Sequence, residues 1–173
     1  IGDFIFPSNI GERYRLIDNR NAKVLIDKVN YNVKVKQEYK EYSDIIFTLL
    51  NSISLRYFLD LFSNQLTGNL TLSVVDVNVL QKILIPNPKI FKNQKENLLK
   101  IYQSIKAREQ QSIFQEIQME DKKLLDEIIF KKIGLEKEDV DELFFEAAKF
   151  VRERQIKSDS VNKTKVRKKL DFS

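Results

Sequence analysis

TLLNSISLRYFLDLFSNQLTGNLTLSVVDVNVLQKILIPNP, residues 48–88, decides how the chain is read. Ile45, Ile46, Leu49, Leu50 and Ile53, then Leu55, Phe58, Leu59 and Phe62, recur at steps of three and four. That is the period of amphipathic helices. Asn51-Ser52 predicts a break between two of them, with Ser52 or Ser54 capping the second. A polar loop, SNQLTGN (63–69), holds the only glycine of the stretch, Gly68, where a backbone disfavoured by a Cβ is expected. Leu70, Leu72 and Val74 then alternate as a strand does, Asp76 to Leu80 reads as a short helical turn, and Ile83 to Pro86 reads as a closing strand. Pro86-Asn87-Pro88 ends the layer, since proline neither donates to a ladder nor continues a helix.

Upstream, Pro7-Ser8-Asn9 and Gly11 are turn material, and Tyr14 and Leu16 alternate with Arg13 and Arg15. Val24, Ile26, Val29, Tyr31, Val33 and Val35 predict strands, so residues 1–36 read as a small antiparallel sheet of about three strands. Downstream the chain is helical. Leu98, Ile101, Tyr102 and Ile105 make one stripe, and Leu124, Leu125, Ile128 and Ile129 make another that stops at Gly134. A last helix opens with acids, carries Val140, Leu143, Phe144, Ala147 and Val151, and closes with bases. The fold class expected is α+β: a small, mostly antiparallel sheet packed with helices (1–90), a helical subdomain (91–157) and a flexible basic tail (158–173).

The 173 residues are 42% hydrophobic and 32% charged, as in a folded domain with a charged surface. No apolar run reaches the ~20 residues that cross a bilayer, so no membrane partner is expected, and a cytoplasmic setting fits. Without cysteine, histidine or tryptophan, the chain has no disulfide, Cys/His zinc site or imidazole-dependent triad. The net charge of +5 is uneven. Residues 1–90 hold 11 Lys/Arg against 9 Asp/Glu, residues 91–150 hold 11 against 13, and residues 151–173 hold 8 against 3. Such a balance permits nucleic-acid binding without requiring it.

The helix opening near Asn51-Ser52, the Leu66-Thr67-Gly68 loop, the strand Leu70 to Val75 and the closing Ile83 to Pro86 come in a distinctive order. LDEIIFKKIGL (125–135), followed by an acid-capped helix with a basic end, and PSNIGERYRL (7–16) extend the pattern. Together they resemble the C-terminal target-recognition region of adenine-specific DNA methyltransferases of restriction–modification systems, of the type IIG and type I-like kinds. The resemblance spans most of residues 4–161, and the single glycine of the loop departs from the two or three that relatives carry. It implies sequence-specific recognition of double-stranded DNA, with an upstream methyltransferase catalytic domain as the other partner. Methyl transfer to adenine needs an Asn/Asp-Pro-Pro-Tyr/Phe pocket and a glycine loop for S-adenosylmethionine. This chain has neither motif, and it begins at Ile1 rather than Met. It is therefore expected to hold no catalytic residue and no cofactor of its own, with S-adenosylmethionine implied for the parent protein.

The candidate DNA-binding residues are of two kinds. Arg13, Arg15, Arg20 and Lys23 offer cations for phosphates, and a guanidinium can also grip guanine O6 and N7. Ser8, Asn9, Asn64, Gln65, Thr67 and Asn69, around Gly68, offer hydroxyls and amides of the sort that read adenine edges. Each group has a plainer reading as a solvated strand face or a turn. Asn30, Asn32, Lys34 and Lys36 read as an exposed face, and Phe4, Phe6, Tyr14, Tyr31, Phe58, Phe62, Phe130, Phe144 and Phe145 as core. Asp126-Glu127 and Asp139, Asp141 and Glu142 read as helix-end acids, not a catalytic or metal cluster. The competing function is a helical protein–protein module that docks a partner subunit, with DNA contact incidental.

Overall fold

A computed structural model of the chain describes residues 1–66 and 69–170, with side chains for those outside 65–70 and before 162. The apolar FIFP run forms β1 (Phe4–Pro7), and the chain continues almost at once as β2 (Asn9–Ile10). Ser8 is the kink between them. Its N–H donates to the Val29 carbonyl (3.2 Å) while its carbonyl accepts from Val75 N–H (2.8 Å), so one strand leaves one sheet and enters another. β1 is the centre of an antiparallel sheet in the order β3-β1-β4, with β3 at Ile17–Asp18 and β4 at Asn30–Val33. Phe4 lies opposite both Asp18 and Val33. β2 is the edge of a second antiparallel sheet, β2-β6-β5, whose other strands are β5 (Asn64–Leu66) and β6 (Asn69–Val74).

The helices are α1 (Ser43–Leu49), α2 (Ile53–Phe62), α3 (Val77–Lys82), α4 (Lys95–Ala107), α5 (Ile113–Glu116), α6 (Glu120–Ile133) and α7 (Lys137–Leu170), with 3-10 turns at Gln37–Tyr42 and Pro88–Gln94. The class is α+β and mostly helical. Two small sheets, rather than one, share it. No single helix among the described residues is long and apolar enough to cross a membrane. One hydrophobic core runs from Phe4 to Val151, joining Phe6, Phe47, Leu59, Phe91, Leu98 and Leu125 across both sheets and all the long helices. Each such fully buried side chain contributes about 1.5–3 kcal/mol.

Local signals decide the element ends. Ser52 caps α2, its hydroxyl accepting from Leu55 N–H at 3.2 Å. α6 ends at Gly134, whose φ of +81° only glycine adopts without cost. The backbone of α7 runs helical to Leu170. The stretch 158–170 holds neither glycine nor proline to stop it.

Several readings are corrected. Val24 and Ile26 form no strand: the Asn19 amide takes up both Val24 N–H (2.8 Å) and Val24 C=O (3.0 Å), closing a loop with Lys23 at φ +50°. Ile83 to Pro86 is extended but, among the described residues, pairs with no strand, and Pro86 and Pro88 cut its ladder potential. Leu124 is exposed because Lys122 and Asp126 occupy core positions of α6 beside Leu125 and Ile129. Phe62 (53% exposed) and Phe145 (65%) lie outside the core. Phe62 packs instead on Phe58, ring centroids 4.4 Å apart, and Phe145 sits on the solvent face of α7.

Candidate nucleic-acid interface

Strand register brings two of the predicted amides together. Asn9 of β2 and Asn64 of β5 lie opposite the same β6 residue, Val74, one on each side. Directly opposed residues project to the same face, so Asn9, Val74 and Asn64 form a row across the sheet. Both asparagines are exposed and Val74 is half-buried. With strands about 4.8 Å apart, the amides stand about 10 Å from each other. In the next row Ile10 lies opposite Ser73, and both face inward: Ile10 is 0% and Ser73 1% exposed.

Gly11 follows Ile10 and passes tightly over β6. A Cβ there would come within 2.9 Å of Leu72 Cδ2, the movable end of that side chain, so a larger residue would have to displace Leu72. Beneath the sheet, Asp60 of α2 holds two arginines. It accepts from Arg56 Nε at 2.7 Å and pairs with Arg154 Nη1 of α7 at 3.0 Å. Arg56 also donates to the Gly11 carbonyl, and Arg154 to Ser73 Oγ, so the network ties α2 and α7 to β2 and β6. Burial lowers the Arg154 pKa, with Asp60 opposing. Sequence reasoning missed this network, although Arg56 and Asp60 fall in phase with the apolar face of α2.

The predicted cations divide. Arg13 is exposed, at a bridge to Ser112. Arg15 is turned inward, its guanidinium donating to the carbonyls of Ile105 and Arg108, the open C-terminal end of α4. Arg20 grips Asp18 through Nε (2.9 Å) and Nη2 (2.7 Å), pairs with Asp44 (2.7 Å), and lies over the rings of Phe4 and Tyr102. Burial acts to raise the Asp18 pKa, but bonds from Arg20 and Tyr102 outweigh it and hold the carboxyl well below the usual range. Arg15 and Arg20 are thus structural rather than free for phosphates. Lys23 is exposed on the loop after β3.

The remaining candidates fare unevenly. The Ser8 hydroxyl donates to the Val29 carbonyl, making the turn rather than facing solvent freely. Gln65 and Asn69 are placed only by backbone, in β5 and β6. Thr67 and Gly68 lie outside the described residues. Asn51 and Ser52, prominent in the sequence pattern, are buried: Asn51 accepts from Leu16 N–H at 3.0 Å and donates to the Phe47 carbonyl at 2.9 Å. Asp126 is also no helix-end acid. Fully buried in the middle of α6, it accepts from Ile53 N–H (3.0 Å) and Ser54 N–H (3.1 Å) and closes the start of α2. Burial pushes its carboxyl up against those bonds. Compared with protein-family models, curated proteins and solved structures, the chain matches none.

Proposed function

We propose that this chain reads the sequence of double-stranded DNA with its β2-β6-β5 sheet, as the target-recognition part of a restriction–modification adenine DNA methyltransferase. The observation that carries the reading is the pair of exposed amides, Asn9 and Asn64, fixed in one register row. The major groove is about 12 Å wide, comparable to the span of the Asn9–Val74–Asn64 row, and asparagine pairs with adenine N6 and N7 there. Arg13 supplies a phosphate contact nearby in sequence. Methyl transfer and S-adenosylmethionine belong, on this reading, to the protein's catalytic domain, and the setting is cytoplasmic.

The test is selection by the full chain from a pool of randomised duplexes. One sequence is enriched, and Asn9→Ala and Asn64→Ala each weaken its binding by about 5- to 150-fold, equivalent to about 1–3 kcal/mol per base contact. The two variants relax preference at positions about three base pairs apart, from the amide spacing and 3.4 Å per base pair. Arg13→Ala weakens every duplex alike and lowers the salt slope by about one. Enrichment of no sequence, or indifference of the asparagine variants, overturns the reading.

A second reading, a helical module that docks a partner subunit, draws on a groove between α2, α6 and residues 83–86. It has a volume of about 380 Å³ and is lined by Leu55, Phe58, Leu84, Ile85, Ile129 and Ile133, with Leu84 85% exposed. On that reading the selection yields no consensus, and any DNA binding vanishes at modest salt.

A further inference from the structure

The loop between β3 and β4 carries an unusual surface. Leu25 is 85% exposed, and Val24 and Val29 about half exposed. An apolar tip of this kind is ordinarily tucked in, but here the root of the loop is firmly built. Asn19, itself 0% exposed, binds both backbone groups of Val24, donates to the Gly2 carbonyl and accepts Lys23 N–H on its own carbonyl at 2.9 Å. At the far end, Asp27 accepts from Val29 N–H and from Asn30 Nδ2. The loop is pinned at both roots, so it presents Leu25 outward instead of folding over it.

Charge says what Leu25 faces. Lys23 and Lys28 flank it, both exposed, and neither makes an ion pair among the described residues. Asp27, the one acid between them, is exposed and accepts from neutral donors at the loop's root, so residues 23–28 carry one net positive charge. An apolar tip between two free cations is suited to a polyanion with an apolar interior, which is stacked DNA. Position agrees: Val29 at the loop's end is bonded to Ser8, and Ser8 adjoins Asn9 of the amide row.

We propose that loop 20–28 is a DNA wedge, with Leu25 entering a base step beside the amide row while Lys23 and Lys28 hold the phosphates on either side. This rests on the DNA-recognition reading and adds to it a bend or unstacking of the duplex. Proteins that insert leucine or similar side chains between base steps kink the DNA and gain wrapped contact in return.

The experiment uses the full chain and the duplex it selects, with 2-aminopurine placed in turn at each position, so that unstacking is read as a rise in fluorescence. One step brightens on binding. Leu25→Ala abolishes the rise and weakens binding about tenfold or more, from the apolar area it removes. Leu25→Met restores both. Exposure at position 25 means that these variants fold as the parent does, which thermal melting confirms. Lys23→Ala and Lys28→Ala each reduce the salt slope by about one. If the chain selects a duplex and Leu25→Ala leaves affinity and fluorescence unchanged, the wedge is overturned and sequence reading by the sheet stands. If it selects none, both fall together.

Discussion

Two arginines on one carboxylate make a sharp test of what holds the sheet to the helices. Asp60, Arg56 and Arg154 have side chains 1%, 3% and 4% exposed, so the trio carries one net positive charge in the interior. Arg154 Nε and Nη2 find no acceptor among the described residues. Removing one partner of a buried pair costs about 3–5 kcal/mol, because the survivor stays buried and unpaired. Asp60→Ala strands two cations at once, so at least that cost is expected, out of the 5–15 kcal/mol typical of a whole domain. With a urea m-value of about 2 kcal/mol/M, the midpoint falls by about 2 M. Arg154→Met has the opposite logic. It removes the excess charge and two orphan donors, leaves Arg56 and Asp60 one to one, and fills the same space. The expected change is between neutral and about 2 kcal/mol of stabilisation. Urea titration at pH 7 with two probes measures both. Equal losses for the two variants, or a loss under about 1 kcal/mol for Asp60→Ala, would refute the account of the trio as one anion serving two cations.

Arg15→Ala removes two charged hydrogen bonds from the end of α4 and is expected to cost about 1–2 kcal/mol, a fall in Tm of about 3–6 °C, with DNA affinity unchanged. A stable variant with weakened DNA binding would move Arg15 to the interface. Asp18 gives a pH signature. Its folded pKa is below the unfolded value of about 3.9, so the stability it contributes is complete above pH 5 and is lost as pH falls through 4 and below. Asp18→Asn therefore flattens the decline of the urea midpoint between pH 5 and pH 3; Asp126, shifted upward, works in the opposite sense and is common to both proteins. An unchanged slope would show that Asp18 is not ionised and bonded as the distances indicate.

Period and capping were legible, because both are properties of neighbours in sequence. The three-and-four recurrence of Leu55 and Leu59, the Ser52 cap, the Gly134 stop and the Leu72, Val74 alternation all correspond to elements at those places. What could not be read is which charges are spent inside. Arg13 and Arg15 look alike in one alternating stretch of sequence, yet the partners that claim Arg15 lie 90 residues on, at Ile105 and Arg108. Arg20 is claimed by Asp44 and by Tyr102 in the same way. A phase test could have found the trio: Arg56 and Asp60 share the buried face of α2 with Ile53, and Arg154 follows Ala147 and Val151 on the buried face of α7. In these two helices the charges that keep the phase of the core stripe are buried.

That spending of cations bears on how the surface can bind. Of the four basic residues first read as phosphate contacts, Arg13 and Lys23 remain exposed, and Lys28 joins them on the loop. Three phosphate contacts give a salt slope of about −3 for duplex DNA, since each released counterion contributes about 0.9. Were the five cations between Lys163 and Lys169 also engaged, eight contacts would give about −7. A slope near −3 therefore means that the sheet and its loop meet DNA without the end of α7. It also means that recognition leans on amide bonds to base edges, which discriminate sequence but supply little of the affinity.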